Sequence, residues 1–109
     1  MHKIAAKIHN DEKKRKKMSL KYLRGLLDYN EGKHERANLR FNKLADEHHE
    51  AAYMAVICSM KLGKHDNATI YMDRYVKHIK SWRESDEKDD AIERVKKLRE
   101  MLDVGRVFG

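Results

Sequence analysis

The chain has 109 residues, 39% of them charged, with five Gly, no Pro and a formal net charge of +7. That length holds one domain with one modest core. Its apolar content of 40% falls below the roughly 45–50% usual in soluble domains. No apolar run approaches the roughly 18 residues of a membrane span, so no membrane association is expected. Met1–Asn10 is polar, so no signal peptide is expected. The single Cys58 cannot form an internal disulfide, which fits a reducing, cytoplasmic setting. A chain without Pro also argues against an all-β sandwich, which uses turn residues freely.

Taken in chain order, apolar residues recur at helical spacing. Ile4, Ala5 and Ile8 make a short first stripe, and Asn10 or Asp11 can cap a new helix after it. The next stretch carries Met18, Tyr22, Leu23, Leu26, Leu27 and Tyr29 on a wide apolar face, and Gly32 suits the left-handed bend that ends it. A second helix is expected from about Lys33 to Asp46, burying Ala37, Phe41 and Leu44. A third covers about Glu50 to Leu62 and stops at Gly63. A fourth starts at Asp66 or Asn67, carries Ala68, Ile70, Tyr71, Met72, Tyr75, Val76 and Ile79, and reaches toward Trp82. Ser85 or Asp86 caps a fifth, whose stripe is Ile92, Val95, Leu98 and Leu102. Asp86, Glu87, Asp89 and Asp90 crowd favourably at its positive end. Residues 103–109, with two Gly, read as a frayed tail. No segment sustains period-two alternation, so the expected fold class is all-α.

The charge is unevenly placed. Residues 1–24 carry nine Lys/Arg and two acids, so the whole excess of +7 lies there. The remaining 16 bases and 16 acids balance. The dense run Lys13, Lys14, Arg15, Lys16 and Lys17 is either a solvated helix face or a contact for phosphates or an acidic partner. Arg24, Arg40 and Lys43 extend that patch if the helices pack side by side.

An internal repeat rises above composition. Gly32-Lys33-His34-Glu35-Arg36-Ala37 recurs as Gly63-Lys64-His65-Asp66-Asn67-Ala68, 31 residues later. At the same offset Tyr22 meets Tyr53, Leu26 meets Ile57, Tyr29 meets Met60 and Phe41 meets Met72. Such a period marks stacked supersecondary units. Each unit would be a helical hairpin bent at its Gly, with a small Ala admitting the second helix and a large residue filling the gap one turn on.

These residues resemble a tetratricopeptide repeat over about residues 18–80. Gly25, Gly32, Ala37 and Phe41 are similar to the family's helix-A Gly, inter-helix Gly, small Ala and following aromatic. In the second unit Gly63, Ala68 and Met72 match, while Val56 stands where Gly25 stood. The family's opening Trp-to-Leu pattern and closing Pro are absent, and the period is shorter than the usual roughly 34 residues. The resemblance implies one domain over 1–109: a basic N-terminal segment (1–17), repeat 1 (18–48), repeat 2 (49–82), a capping helix (85–102) and the tail. Two stacked antiparallel hairpins would thus be flanked by a short N-terminal helix and a C-terminal capping helix.

In such stacks the first helix of each hairpin lines the concave side. The resemblance therefore implies a partner-binding groove at Tyr22, Leu26, Tyr29 and Asn30, continued by Tyr53, Ile57, Met60 and Lys61. The competing reading makes these residues core. The groove would suit an amphipathic helix or extended peptide. The expected function is non-enzymatic: an adaptor, assembly chaperone or regulator that binds a protein or peptide. Because two units are few for a stable stack, a homodimer is a further expectation. Nucleic acid bound through Lys13–Lys17 is the alternative.

No catalytic motif, cofactor or metal is nominated. His48 and His49 are adjacent, so on a helix they point about 100° apart and share an ion poorly, even with Asp46 and Glu47 nearby. His34 and His65 read as packing residues at the starts of their helices. Cys58, beside Ile57 in an apolar stretch, reads as an inert buried thiol.

Overall fold

A computed structural model describes the backbone of residues 2–108 and the side chains of residues 12–105. The described residues form five helices: α1 (His2–Asn30), α2 (His34–Leu44), α3 (His49–Lys61), α4 (His65–Lys80) and α5 (Asp86–Phe108). The fold is all-α, and no strand occurs among the described residues. Principal contacts join consecutive helices, α1 to α2, α2 to α3, α3 to α4 and α4 to α5. Two antiparallel hairpins, α1–α2 and α3–α4, stack on each other, and α5 covers the end of the second. Among the described residues no helix is long and apolar enough to cross a membrane.

Both hairpin bends are built alike. Gly32 has φ +80° and Gly63 φ +72°, a left-handed conformation that costs an L-residue energy and glycine little. Before the first bend, Gly32 N–H donates to Tyr29 C=O (3.0 Å) and Lys33 N–H to Asp28 C=O (2.8 Å). At the second, Gly63 N–H donates to Met60 C=O (3.0 Å) and Lys64 N–H to Ser59 C=O (2.8 Å). These paired bonds satisfy carbonyls that a helix C-terminus otherwise leaves free. Lys33 and Lys64 then open the next helices with the same backbone geometry, and Glu35 and Asp66 sit in the first turns.

The packing follows residue size. Ala37 and Phe41 of α2 are fully buried against α1. A Cβ at Gly25 would lie 2.6 Å from Phe41 Cε1, so the ring occupies the space a side chain would need. The central helix α3 has Ala51, Ala52 and Ala55 buried, which lets α2 and α4 close on its two sides. Tyr75 and Ile79 of α4 bury against Ala91 and Val95 of α5, and Ala68 and Met72 against Leu98 and Leu102.

Three expectations change. The N-terminal helix is not separate: α1 runs unbroken through Asn10 and Asp11. Its Lys-rich stretch has no Gly or Pro to stop it, and a cap residue alone does not end a helix. The stripe Ile4, Ala5 and Ile8 lies outside the described side chains. Residues 103–108 are helical rather than frayed. Gly105 is a contact residue there, since a Cβ on it would meet the His65 ring at 2.9 Å, while Leu102 is buried one turn earlier. Finally, Leu23, Leu27, Ile70 and Ile92 are exposed, because α1, α4 and α5 each have a flank that no neighbour covers.

Gly25→Ala is expected to lower unfolding free energy by about 1–3 kcal/mol through overpacking against Phe41. Gly32→Ala should cost about 1–2 kcal/mol from left-handed strain alone, since a Cβ there would meet nothing within 4 Å. Chemical denaturation monitored by circular dichroism measures both.

Candidate functional site

The expected groove residues do not behave as one group. Tyr22, Leu26 and Tyr29 are half-buried, their inner sides packed on the cluster of Phe41, Ala51, Ala55 and Cys58. Tyr53, Ile57 and Met60 are half-buried against Val56, Ala68 and Leu98. Asn30 and Lys61 are exposed. Lys61 Nζ stands 5.5 Å from the centre of the Tyr29 ring, which joins the two sets across α1 and α3. Each of these large side chains thus serves the core on one side and keeps an edge in solvent on the other.

From Tyr22 a strip of rings and charges continues across α3 to α5. Tyr22 stacks on His48 with ring centres 4.7 Å apart. His49 meets the Trp82 indole edge-on at 4.9 Å. Glu50 accepts from the Arg94 guanidinium at 3.2 Å, and Arg94 also lies 5.0 Å over the Tyr53 ring. Two of the positions expected to bind, Tyr22 and Tyr53, therefore stand at either side of a His48–His49–Glu50 segment.

His48 is also the N-cap of α3: its Nδ1 accepts Ala51 N–H at 3.2 Å. An accepting Nδ1 carries no proton, so the capping ring is neutral. Burial, and then the neighbouring His49, hold its pKa below the ordinary value. His78 Nε2 meets Ala45 C=O at 2.7 Å, tying α4 to the α2–α3 turn. The Tyr22 phenol is pushed above its usual range, first by burial and then by Glu50, with Arg94 opposing.

The basic run lies on the first half of α1. Lys13, Lys14, Arg15, Lys16 and Lys17 are all exposed, and Lys14 pairs with Glu47 at 3.1 Å. Arg24 and Lys43 are exposed as well. Arg40 does not extend the patch. Its Nε donates to Asp28 Oδ2 at 2.8 Å, and Arg36 comes within 3.7 Å of the same oxygen. Asp28 is nearly buried, so its charge draws Arg40 inward. Sequence reasoning passed over Asp28, because an acid on an apolar helix face shows its partner only once α2 is in place.

Among the described residues no group of three or more His, Cys, Asp or Glu could hold a metal ion. Glu47 is engaged by Lys14, and Asp46 pairs with Arg74 at 3.3 Å. His34 tilts against Tyr29 at 5.1 Å, and His65 packs on Gly105. Cys58 is buried, and burial pushes its thiol up to about 11, with Lys61 opposing. Compared with known proteins, the chain matches no family model, no curated protein and no solved structure.

The lowered pKa of His48 fixes a pH dependence. The unfolded chain takes up the proton first as pH falls, so protonation favours unfolding. His48's contribution should be complete above the ordinary His value of 6.5 and drain away as pH drops through it. His48→Asn, which caps without titrating, should flatten that slope in denaturation curves taken from above pH 6.5 downward. Cys58 should resist a thiol reagent at pH 8 in the native protein and react fully once denatured, because little of it is thiolate at that pH.

Proposed function

We propose that this chain is a non-enzymatic protein–protein interaction module, an adaptor, assembly chaperone or regulator. A partner segment would lie along Tyr22, Leu26, Tyr29, Tyr53, Ile57 and Met60, with Asn30 and Lys61 at the rim. The observation that carries this reading is the divided burial of those side chains. Rings and thioethers with a fixed inner edge and a wet outer edge offer apolar contact area at small entropic cost. The equivalent bends at Gly32 and Gly63 support a tetratricopeptide-like origin of the two hairpins. A single buried thiol suits a cytoplasmic setting.

A second copy is also a candidate partner, on a separate observation. Leu20, Leu23 and Leu27 lie at i, i+3 and i+7 of α1 and are 59%, 53% and 60% exposed. This stripe on the free flank of the first hairpin would suit association. Nucleic acid is the alternative reading, favoured by five exposed bases of which Lys14 alone makes an ion pair among the described residues.

Tyr22→Ser and Tyr53→Ser are expected to reduce capture of protein partners while leaving the far-UV helical signal in place. Loss of the helical signal instead would assign both rings to the core. In the same capture experiment, nuclease treatment should leave the bound proteins unchanged. If neutralising Lys13–Lys17 abolishes binding and the affinity falls steeply with salt, the nucleic-acid reading replaces this one.

A further inference from the structure

A groove with about 330 Å³ of room lies between α4 and α5. Its floor is apolar. Ile79 of α4 and Val95 of α5 are core residues, 4% and 8% exposed, and Val76 packs against the same cluster. Ile92 forms a wall and keeps 38% of its surface in solvent. Along α5, Lys88, Ile92, Val95 and Arg99 follow at i, i+4, i+7 and i+11, so they share one stripe of helix surface.

Every charged side chain that lines this groove is cationic: Lys80, Lys88 and Arg99. Lys88 is already satisfied. Its Nζ donates to Glu84 Oε1 at 2.8 Å and to Trp82 C=O at 3.2 Å, which leaves its methylene stem as further apolar wall. Lys80 and Arg99 are exposed and have no ion-pair partner among the described residues. An apolar trough beside two unpaired cations is complementary to a hydrocarbon chain with an anionic end.

Size decides what kind of molecule carries that chain. The room lies at the small end of the roughly 300–1,000 Å³ found for small-molecule pockets. A stable protein interface covers on the order of 800 Å² on each partner. Only four apolar side chains line this groove, too few for such an interface. We propose that the groove binds a free medium-chain alkyl carboxylate, its tail on Val76, Ile79, Ile92 and Val95 and its carboxylate on the Arg99 guanidinium. The guanidinium fork matches both carboxylate oxygens, and the Lys80 charge adds attraction without a fixed geometry. This inference goes beyond the partner groove and does not depend on it, since none of these residues takes part in that reading.

The full chain is titrated with sodium octanoate at constant ionic strength, and the methyl resonances of Val76, Ile79, Ile92 and Val95 are followed by NMR. Saturable shifts of these methyl groups are expected. Sodium acetate, which lacks the tail, and octylammonium chloride, which reverses the charge, should leave them in place. Ile92→Asn should weaken octanoate binding about tenfold by removing apolar contact area. The double variant Lys80→Gln/Arg99→Gln should weaken it about tenfold as well, the scale of two exposed ion pairs. All three substituted side chains are exposed, so the fold is expected to stay intact, which the far-UV helical signal checks. Shifts that rise linearly without saturating overturn the proposal. So do equal shifts with octylammonium, or unchanged affinity in either variant. Pelleting with phosphatidylglycerol vesicles while octanoate leaves the methyl groups unshifted also overturns it, and gives the groove to a lipid surface.

Discussion

The Phe41 ring resting on Gly25 is the contact from which the rest of the molecule follows. With the ring in the space of an absent side chain, Phe41 of α2 packs directly onto the α1 backbone at Gly25. That packing also sets the other contacts of Phe41. Its ring lies 5.7 Å from that of Tyr22, and the Ala51–Ala55 face of α3 closes over the same cluster. Tyr22 is thereby held at the place where it can stack on His48. The packing of one hairpin therefore positions the face on which the functional reading rests.

The second hairpin reaches a similar result by a different route. Its bend repeats the first, with the same carbonyls satisfied and the same left-handed glycine. Val56 stands where Gly25 stood, however, and Met72, a flexible side chain, replaces the rigid ring. Met72 can fold around Val56, whereas Phe41 needs the empty space at Gly25. The end of this hairpin is covered by α5, whose Leu98 and Leu102 complete its core. The flank of α1 opposite the Phe41 contact has no such cover, and there the leucine stripe lies open.

What could be read from the residues alone was what depends on near neighbours. Gly32 and Gly63 announce their bends because only the local backbone decides them. Ser85 caps α5 through its own hydroxyl, which accepts Lys88 N–H at 3.2 Å. Ala37, Phe41, Ala68 and Met72 face inward because helical period places them together. Residues whose surroundings are set by distant helices were not legible. Leu23 and Leu27 share a helix face with no neighbour, and Arg40 turns to Asp28 across a hairpin. Trp82 and Tyr75 gain their setting only when three chain segments meet. The acids crowded in the first turns of α5 are explained by the helix dipole and point to no neighbour.

A nuclear Overhauser measurement between the Phe41 ring and the α-protons of Gly25 tests this packing most directly. The close approach of α2 to α1 predicts strong cross-peaks and an upfield ring-current shift of those α-protons. Their absence, with Gly25 at ordinary random-coil shifts while α1 remains helical, would contradict the hairpin and with it the shared face of α1, α3 and α5.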